Sequence, residues 1–375
     1  LAYNTFTGIV GNDFYMPKNF VHARNANGRV AMGLHGYRVG IGRLVRMGLN
    51  ENPYGMSPKA LNAIAETAAG SNLYGDFQAN ELKNTLAEYY GMSYDNFITA
   101  AGSSACIELV GNTFLNPGDE VLMCPPFAAF LDMAYIHQAK PVTVPLKSDL
   151  TYDLEGLLEA VTEKTKIIVI CNPNNPTGTY VNGDSLRSFI DRVPEDIVIV
   201  MDEAYIEFST APDCESMIDL VRQGIEKPLL VLRTFSKYYA MAGVRVGYVA
   251  AAPELIAAMK KCPCNCNINK MGQAAAVAAM KDQEYYQEVK ALVVAGRKYI
   301  ETELEAMGCR VYHSQTNFIY FDAHVSPEWL RDRLAERGIM ISSNQISRVS
   351  VGTAKENEMF IGVMKEVLEN AELAS

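Results

Sequence analysis

The sequence predicts an α/β protein whose larger part is built on a mostly parallel sheet and whose smaller part is α+β. The first observation is a series of apolar runs of four to six residues that alternate with helical segments between residues 121 and 250. These runs have almost no polar alternation, which is typical of strands covered on both faces. The second observation is a change after residue 253 to longer helical periodicity with isolated strands. Together these patterns predict a βαβ region followed by a smaller domain.

The elements of the first part follow from local patterns. The first 45 residues are irregular, and we interpret them as an arm that packs on another part of the molecule. Pro58 after Ser57 predicts the start of a short helix over 59–69, and a second helix is predicted over 81–90. The predicted strands are 121–124, 167–171, 197–201, 229–232 and 246–250, with helices over 154–161 and 183–192 between them.

The region after residue 253 has the pattern of a smaller α+β unit. Its predicted helices are 271–281, 284–307, 327–337 and 356–369, and its predicted strands are 317–321 and 348–351. We therefore expect residues 1–60 to form an N-terminal arm and part of the small domain, 61–270 the large domain, and 271–375 the C-terminal small domain.

Composition and charge exclude several classes of protein. Hydrophobic residues make up 49% of the chain and charged residues 20%, enough for a large core. There are 33 Lys and Arg against 43 Asp and Glu, and this acidic balance argues against binding to nucleic acid or an anionic membrane. Eight Cys are too few for a disulfide scaffold, which favours a cytoplasmic protein. The chain begins with Leu1, so we expect a trimmed N terminus, and export of the folded protein stays an alternative.

Polar side chains follow three of the predicted strands at the point where each strand ends. The three segments are Asn172-Pro-Asn-Asn175-Pro-Thr-Gly178, Asp202-Glu-Ala-Tyr205 and Arg233-Thr-Phe-Ser-Lys237. Ligands of open α/β sheets bind at the carboxyl ends of the strands. An isolated Lys is more often a solvated surface charge, and Asp202 alone could cap a turn. On adjacent strand ends, however, the set predicts a partly desolvated Lys237 tuned for Schiff-base chemistry and a carboxylate able to hold a protonated ring nitrogen.

An anion site is predicted at the same edge of the sheet. Thr234, Ser236 and Arg245 bring donors suited to a phosphate group. Ser103 and Ser104 follow a glycine just before a helical run over 105–115, where free backbone N–H groups favour an anion.

With these residues, the sequence resembles the pyridoxal 5'-phosphate (PLP) enzymes of fold type I, in the class I and II aminotransferase superfamily. Within it, the sequence is most similar to the histidinol-phosphate aminotransferase family. The matching segments are 49–54, 72–76, 172–178, 202–208, 234–247 and 348–353. The resemblance covers about residues 47–370 and implies a large PLP-binding domain with a mostly parallel seven-stranded sheet. It also implies an amino-group transfer between an amino acid, or histidinol phosphate, and a 2-oxo acid such as 2-oxoglutarate.

The resemblance implies roles for the residues around the cofactor ring. Lys237 would form the Schiff base with PLP and move the proton during the reaction. Asp202 would pair with the pyridine nitrogen, and Asn175 and Tyr205 would contact the ring oxygen. Lys237, Asp202 and Tyr205 are therefore the expected catalytic residues. Phe127 would stack on the ring.

The resemblance also implies how the phosphate and the substrate are bound. The phosphate would be bound by Ser103, Ser104, Thr234, Ser236 and Arg245, and by Tyr74 of the other subunit of a homodimer. Arg348 would bind the substrate carboxylate, with Asn50 and Tyr37 as further expected substrate contacts.

The sequence departs from the family pattern in two segments. Ser342 falls about where the related enzymes carry a further Arg for the substrate phosphate, so we expect an amino acid, aromatic or otherwise bulky, ahead of histidinol phosphate. Cys262, Cys264 and Cys266 replace a segment that usually contains an aromatic residue. Their spacing does not match a zinc site, and we expect no metal.

Three other classes of protein are alternatives to an aminotransferase. A PLP-dependent decarboxylase or lyase on the same fold is the first, because substrate pose decides which bond breaks. A nicotinamide oxidoreductase needs a Gly-x-Gly-x-x-Gly turn after a strand, and the sequence has none. A non-catalytic PLP-binding regulator conflicts with the acidic charge.

Overall fold

The computed structural model describes residues 38–39, 42–125, 127–262, 268–343 and 345–372. The chain divides into two units. Of the described residues, the larger unit comprises those within 51–294 and 312–317, and the smaller unit comprises those within 38–50, 295–311 and 318–372.

The strands among the described residues are short. They are β1 (Arg38–Val39), β2 (Gly42–Arg43), β3 (Val45–Arg46), β4 (Phe97–Ala100), β5 (Glu120–Met123), β6 (Lys140–Thr143), β7 (Thr165–Cys171), β8 (Val198–Asp202), β9 (Leu229–Thr234), β10 (Gly247–Ala251), β11 (Arg310–Tyr312), β12 (Phe318–Asp322), β13 (Ile339–Met340), β14 (Ser342–Ser343) and β15 (Ser347–Ser350).

The helices connect these strands and cover the sheets. They are α1 (Pro58–Ala68), α2 (Asn80–Tyr90), α3 (Ser103–Phe114), α4 (Ala129–Ile136), α5 (Leu154–Glu159), α6 (Gly183–Arg192), α7 (Ile218–Arg222), α8 (Pro253–Met259), α9 (Lys270–Met280), α10 (Gln283–Ala306), α11 (Pro327–Glu336) and α12 (Ala354–Glu372). Short 3₁₀ turns lie at Tyr94–Asn96 and Ile206–Phe208. Among the described residues, no helix is both long enough and apolar enough to cross a membrane.

The described part of the larger unit contains one sheet of seven strands in the order β4-β10-β9-β8-β7-β5-β6. Strands β6, β5, β7, β8 and β9 pair in parallel, whereas β10 is antiparallel to both β9 and β4. The predicted α/β fold with a mostly parallel sheet is therefore confirmed. Sequence analysis did not identify β4 and β6, the two edge strands.

Local chemistry explains why the helices of this unit begin where they do. Ser57 accepts a hydrogen bond from the Ala60 backbone N–H at 3.2 Å, and Pro58 occupies the first turn of α1. Asn182 caps α6 in the same way, through the Ser185 N–H at 2.8 Å. The strands β7 to β10 are almost entirely buried, as their continuous apolar runs predict.

The smaller unit contains a sheet with the order β11-β12-β15-β14. Strand β15 is antiparallel to β12 on one side and to β14 on the other. In this register Arg348 lies opposite Tyr320 on β12 and opposite Ser342 on β14. Strand β13 pairs in parallel with β3, and this pairing joins residues 45–46 to the C-terminal part of the chain.

The observed division of the chain differs from the predicted segment boundaries at three places. Residues 51–60, 271–294 and 312–317 belong to the larger unit. The reason is that α9 packs along α1, so the helix over 270–280 is part of the larger core. Helical periodicity alone does not reveal which core a helix packs against.

Candidate active site

The candidate site lies at the carboxyl ends of three neighbouring strands of the large sheet. Strands β7, β8 and β9 are adjacent and parallel, so the segments that follow them emerge at one edge. Cys171 lies opposite Asp202 in the β7–β8 register, and Asp202 lies opposite Leu232 in the β8–β9 register. The structure thus brings together the three polar segments that sequence analysis singled out.

Asp202 is a buried carboxylate at the end of β8, with only 7% of its surface exposed. One carboxylate oxygen accepts a hydrogen bond from the Ala204 N–H at 3.1 Å, and the Cys171 sulfur lies 3.9 Å from the other. Burial raises the pKa of Asp202 from 3.8 to about 6, although the Ala204 N–H and the Lys237 ammonium lower it. A buried carboxylate of this kind is stabilised most by a ligand that places a cationic N–H group beside it.

Lys237, Tyr205 and Asn175 lie at the same edge. The Lys237 Nζ is 5.8 Å from the centroid of the Tyr205 ring. The Asn175 amide donates to the Tyr205 hydroxyl at 3.5 Å, the outer limit of a hydrogen bond. The loop that carries Asn175 is held from within, since the Asn172 side chain donates to the Val181 carbonyl at 3.0 Å and accepts from the Val181 N–H at 2.8 Å. The phenol and the amide are therefore close enough to contact the same oxygen atom of a ligand.

A set of anion-binding donors is built beside them. Thr234 Oγ1 donates to Ser236 Oγ at 2.9 Å, and Arg245 Nη1 donates to the same Ser236 oxygen at 3.3 Å. The N-cap of α3 is Gly102, so no capping side chain covers the first N–H groups of this helix, which include those of Ser103 and Ser104. Hydroxyl groups, a guanidinium and a helix N terminus form a typical phosphate site.

Glycines shape this anion site. Gly102 has φ +87°, and a Cβ there would lie 2.8 Å from Arg245 Cζ and closer still to one of its terminal nitrogens. A Cβ on Gly247 would lie 2.6 Å from the Gly102 carbonyl carbon and 2.7 Å from the Ser103 nitrogen. The guanidinium therefore lies directly against the start of α3. Sequence analysis did not predict this contact, because nothing local in the sequence joins residue 102 to residues 245–247.

These groups fit PLP. The buried Asp202 carboxylate matches a protonated pyridine nitrogen, the amine of Lys237 matches the aldehyde, and the donors around Ser236 and Arg245 match the phosphate. Each match rests on the chemistry of a separate part of the cofactor, and all three lie at one edge of one sheet.

The remaining predicted contacts are less closely grouped. Phe127 is 37% exposed, and its backbone N–H lies beside the Cys171 sulfur, near Asp202. Tyr74 is 90% exposed, in the segment between α1 and α2. Tyr37 lies outside the described residues.

Two predicted substrate contacts belong to the smaller unit. The Asn50 N–H donates to Ser350 Oγ at 2.8 Å. Arg348 donates to the Gly48 carbonyl at 3.2 Å, and its guanidinium carbon lies 5.4 Å from the centroid of the Phe318 ring.

The cysteine run lies mostly outside the described residues, which include Cys262 but not Cys264 or Cys266. Over the part of the chain that is described, no cluster of three or more His, Cys, Asp or Glu side chains is arranged to hold a metal ion.

Comparisons with known proteins agree with this chemistry. A family model described as aminotransferase class I and II matches residues 43–364. Histidinol-phosphate aminotransferase from Akkermansia muciniphila is 38% identical over 332 residues, covering 87% of this chain and 90% of the relative. The enzyme of the same name from Moorella thermoacetica is 33% identical over 88% of this chain and 87% of its own length.

Solved structures agree as well. Histidinol-phosphate aminotransferase from Sinorhizobium meliloti, in complex with pyridoxal-5'-phosphate, has a TM-score of 0.83 and 29% identity, covering 88% of this chain and 93% of that one. A putative histidinol-phosphate aminotransferase from Erwinia carotovora atroseptica has a TM-score of 0.85 and 29% identity, over 91% of this chain and 99% of that one. Neither the relatives nor these structures favour a decarboxylase or lyase. This chain therefore belongs to the class I and II aminotransferase family and is a PLP-dependent aminotransferase of fold type I.

Proposed function

We propose that this aminotransferase takes the amino group of histidinol phosphate and transfers it to a 2-oxo acid, 2-oxoglutarate being the expected acceptor. The observation that carries the proposal is the agreement between the donor groups at the sheet edge and the shared name of the relatives. Relatives at 33–38% identity that carry the name histidinol-phosphate aminotransferase align with 87–88% of this chain. The family model spans residues 43–364, and this range includes every residue to which we assign a role except Tyr37.

We propose the following division of work among the residues. When bound, PLP supplies an electron sink for the electron pair that remains when the substrate α-proton is removed. Lys237 Nζ holds the aldehyde carbon at rest and afterwards carries a proton between the substrate Cα and that carbon. Asp202 keeps the proton on the ring nitrogen, because its buried carboxylate is stabilised by a cation beside it. Asn175 and Tyr205 orient the ring through its oxygen. Arg348 binds the anionic end of the donor.

The phosphate site provides orientation. Ser236, Arg245 and the N terminus of α3 would hold the phosphate, and this would limit the rotation of the ring. Phe127 covers one face of the ring. These residues make no bond that changes during the reaction, so their contribution is to hold the reacting atoms near Lys237.

We also propose a homodimer in which Tyr74 contacts the cofactor phosphate of the other subunit. An exposed patch supports this: Leu73, Tyr74 and Phe77 are 65%, 90% and 60% exposed, and the two aromatic rings lie 5.6 Å apart. Exposed aromatic side chains grouped in this way are typical of interfaces.

Subunit mixing tests the shared site. In a mixed dimer of Lys237→Ala and Tyr74→Phe subunits, one site carries both defects and the other carries neither. We therefore expect mixing to give more activity than the two parents combined. Activity equal to the average of the parents would exclude a contribution of Tyr74 across the interface. Sedimentation of the unmixed protein tests the dimer independently.

A second candidate donor is a bulky amino acid such as an aromatic one. It is favoured by Ser342, a buried neutral side chain directly opposite Arg348 on neighbouring strands. Side chains at such positions have Cβ atoms about 4.5–5.5 Å apart. A phosphate bound by Arg348 would gain from a second cation at this position, and Ser342 does not supply one.

A spectral half-reaction separates the two candidates. The holoenzyme is mixed with histidinol phosphate, with histidinol and with phenylalanine, and the change in visible cofactor absorption is followed. We expect histidinol phosphate to react fastest, and removal of its phosphate to slow the reaction at least about tenfold, the effect of about 1.4 kcal/mol. A faster reaction of phenylalanine would overturn histidinol phosphate in favour of the second candidate. Lys237→Ala is the control for non-enzymatic exchange.

A further inference from the structure

A buried charged cluster lies beside the strand ends that supply the cofactor site. Its centre is Arg233 on β9, which is 5% exposed. The Arg233 Nε is 3.4 Å from a carboxylate oxygen of Glu203, and Nη1 is 3.2 Å from a carboxylate oxygen of Glu207. Glu203 is 1% exposed, so this is an ion cluster inside the protein and not a surface pair.

The cluster is tied to several elements of the larger unit. The third guanidinium nitrogen, Nη2, donates to the Tyr90 hydroxyl of α2 at 3.3 Å, and that hydroxyl lies 2.6 Å from the hydroxyl of Tyr248 on β10. Glu203 is held independently, because its carboxylate accepts from the Met217 N–H and from the Ser216 hydroxyl, both at 2.6 Å. Two partners of Arg233, Glu203 and Tyr90, are thus held by hydrogen bonds of their own.

In the sequence, each charged residue of the cluster stands next to a different residue of the cofactor site. Glu203 directly follows Asp202, and Glu207 lies in the 3₁₀ turn Ile206–Phe208 that directly follows Tyr205. Arg233 directly precedes Thr234 and leads to Lys237. Side chains alternate along a strand, so Arg233 projects to the face opposite Thr234. The cluster is therefore placed behind the site, where it can reach the segments that follow β8 and β9 without touching the cofactor.

We propose that Arg233 is a positioning residue for PLP, acting through Glu203 and Glu207 to hold Asp202, Tyr205 and Lys237 in one arrangement. One guanidinium lies between two carboxylates of the segment that follows β8, and its own strand, β9, leads to Lys237. Neither contact has hydrogen-bond geometry, so the guanidinium acts through its charge and its planar shape, which place it against both carboxylates at once. Buried ion pairs are often no more stabilising than apolar side chains of similar size, so their presence here is better explained by the geometry that they impose.

Cofactor affinity, measured on the whole chain after PLP has been removed and added back, separates positioning from simple stability. Arg233→Met and Glu207→Gln are titrated with PLP, and Tm is measured on the same samples. Leu186→Ala, in the fully buried face of α6, is the matched control because it lowers Tm without altering the cluster. A second readout is the pH at which the visible absorption of the bound cofactor changes, which reports the surroundings of Lys237.

We expect both cluster variants to raise the Kd for PLP by roughly tenfold to a hundredfold, as loss of an orienting partner does at metal sites. They should also move the pH of the absorption change, whereas Leu186→Ala should keep both quantities close to those of the unaltered protein. A cluster variant that has a lower Tm but the same Kd for PLP as the control would overturn the proposal. If Arg233→Met does not fold, Glu207→Gln decides alone, because its side chain is partly exposed and its removal leaves Glu203 and Arg233 paired.

Discussion

Replacing Asp202 by Asn should stabilise the cofactor-free protein while weakening its function. Burial raises the pKa of Asp202 from 3.8 to about 6. The folded chain therefore binds this proton more tightly than the unfolded chain does. Its contribution to stability is greatest below pH 3.8 and is lost as the pH rises through about 6.

The size of the effect follows from the two pKa values. Their difference corresponds to about 3 kcal/mol at pH 8, at about 1.4 kcal/mol for each factor of ten in proton affinity. At pH 5 the same relation leaves about 1.6 kcal/mol, because the buried acid is then mostly protonated. With an unfolding entropy of about 2.1 cal/mol/K per residue, Asp202→Asn should raise Tm by about 4 °C at pH 8 and about 2 °C at pH 5. Asn can still accept the hydrogen bond from the Ala204 N–H.

Thermal unfolding of the cofactor-free protein and the variant, at both pH values, measures this difference. Adding PLP should then make the unaltered protein the one with the higher Tm. The Asp202 charge is costly in the empty site, but it is favourable beside a protonated ring nitrogen. Turnover should fall roughly 10²–10³-fold, the usual cost of removing a pre-organised charge. A variant that is less stable than the unaltered protein at pH 8, or equally stabilised at pH 5 and pH 8, would refute the reasoning from burial.

Three further predictions concern the cofactor. Lys237→Ala should abolish turnover and the visible absorption of the lysine-bound cofactor, and borohydride should fix PLP to the unaltered protein at Lys237 alone; labelling of another residue would contradict this. Gly102→Ala should cost about 1–2 kcal/mol in stability, because it strains a left-handed residue and displaces Arg245, and should also raise the Kd for PLP. Unchanged Tm and Kd would count against the described contact. Arg245→Ala should weaken the binding of PLP by about tenfold to a hundredfold, which corresponds to the loss of a charged hydrogen bond. The binding of pyridoxal, which lacks the phosphate, should stay nearly unaffected. Equal losses for both would place Arg245 away from the phosphate.

Much of the sheet could be predicted because its central strands are apolar along their whole length. The run 167–171 lies within β7, and the runs 197–201 and 246–250 differ from β8 and β10 by one residue at each end. Strand β6 could not be recognised, since Lys140-Pro-Val-Thr is partly exposed and has no continuous apolar pattern. Strand β4 has only four residues, and two of them are partly exposed. Edge strands lack the burial that makes central strands visible in a sequence.

The candidate site could be predicted in part for a different reason. The rule that ligands bind at strand ends brought Asn175, Asp202 and Lys237 together before any coordinates were known. Their individual roles, however, came from the family resemblance. The contact of Gly102 with Arg245 depends on the antiparallel entry of β10, which a run of apolar residues does not reveal. The same is true of the Arg233 cluster, whose members are far apart in the chain.

The reversed direction of β10 has a mechanical consequence for the cofactor. Gly247 pairs with Thr234, so the loop over 235–246 leaves and re-enters the sheet through two strands that are hydrogen-bonded to each other. Lys237 and Arg245 both lie in this loop, and they are tethered to the same pair of strand ends. The proposed covalent and ionic anchors of PLP are therefore both carried by one loop whose two ends are joined by the β9–β10 ladder. Denaturant that opens this hairpin should release both anchors in a single step.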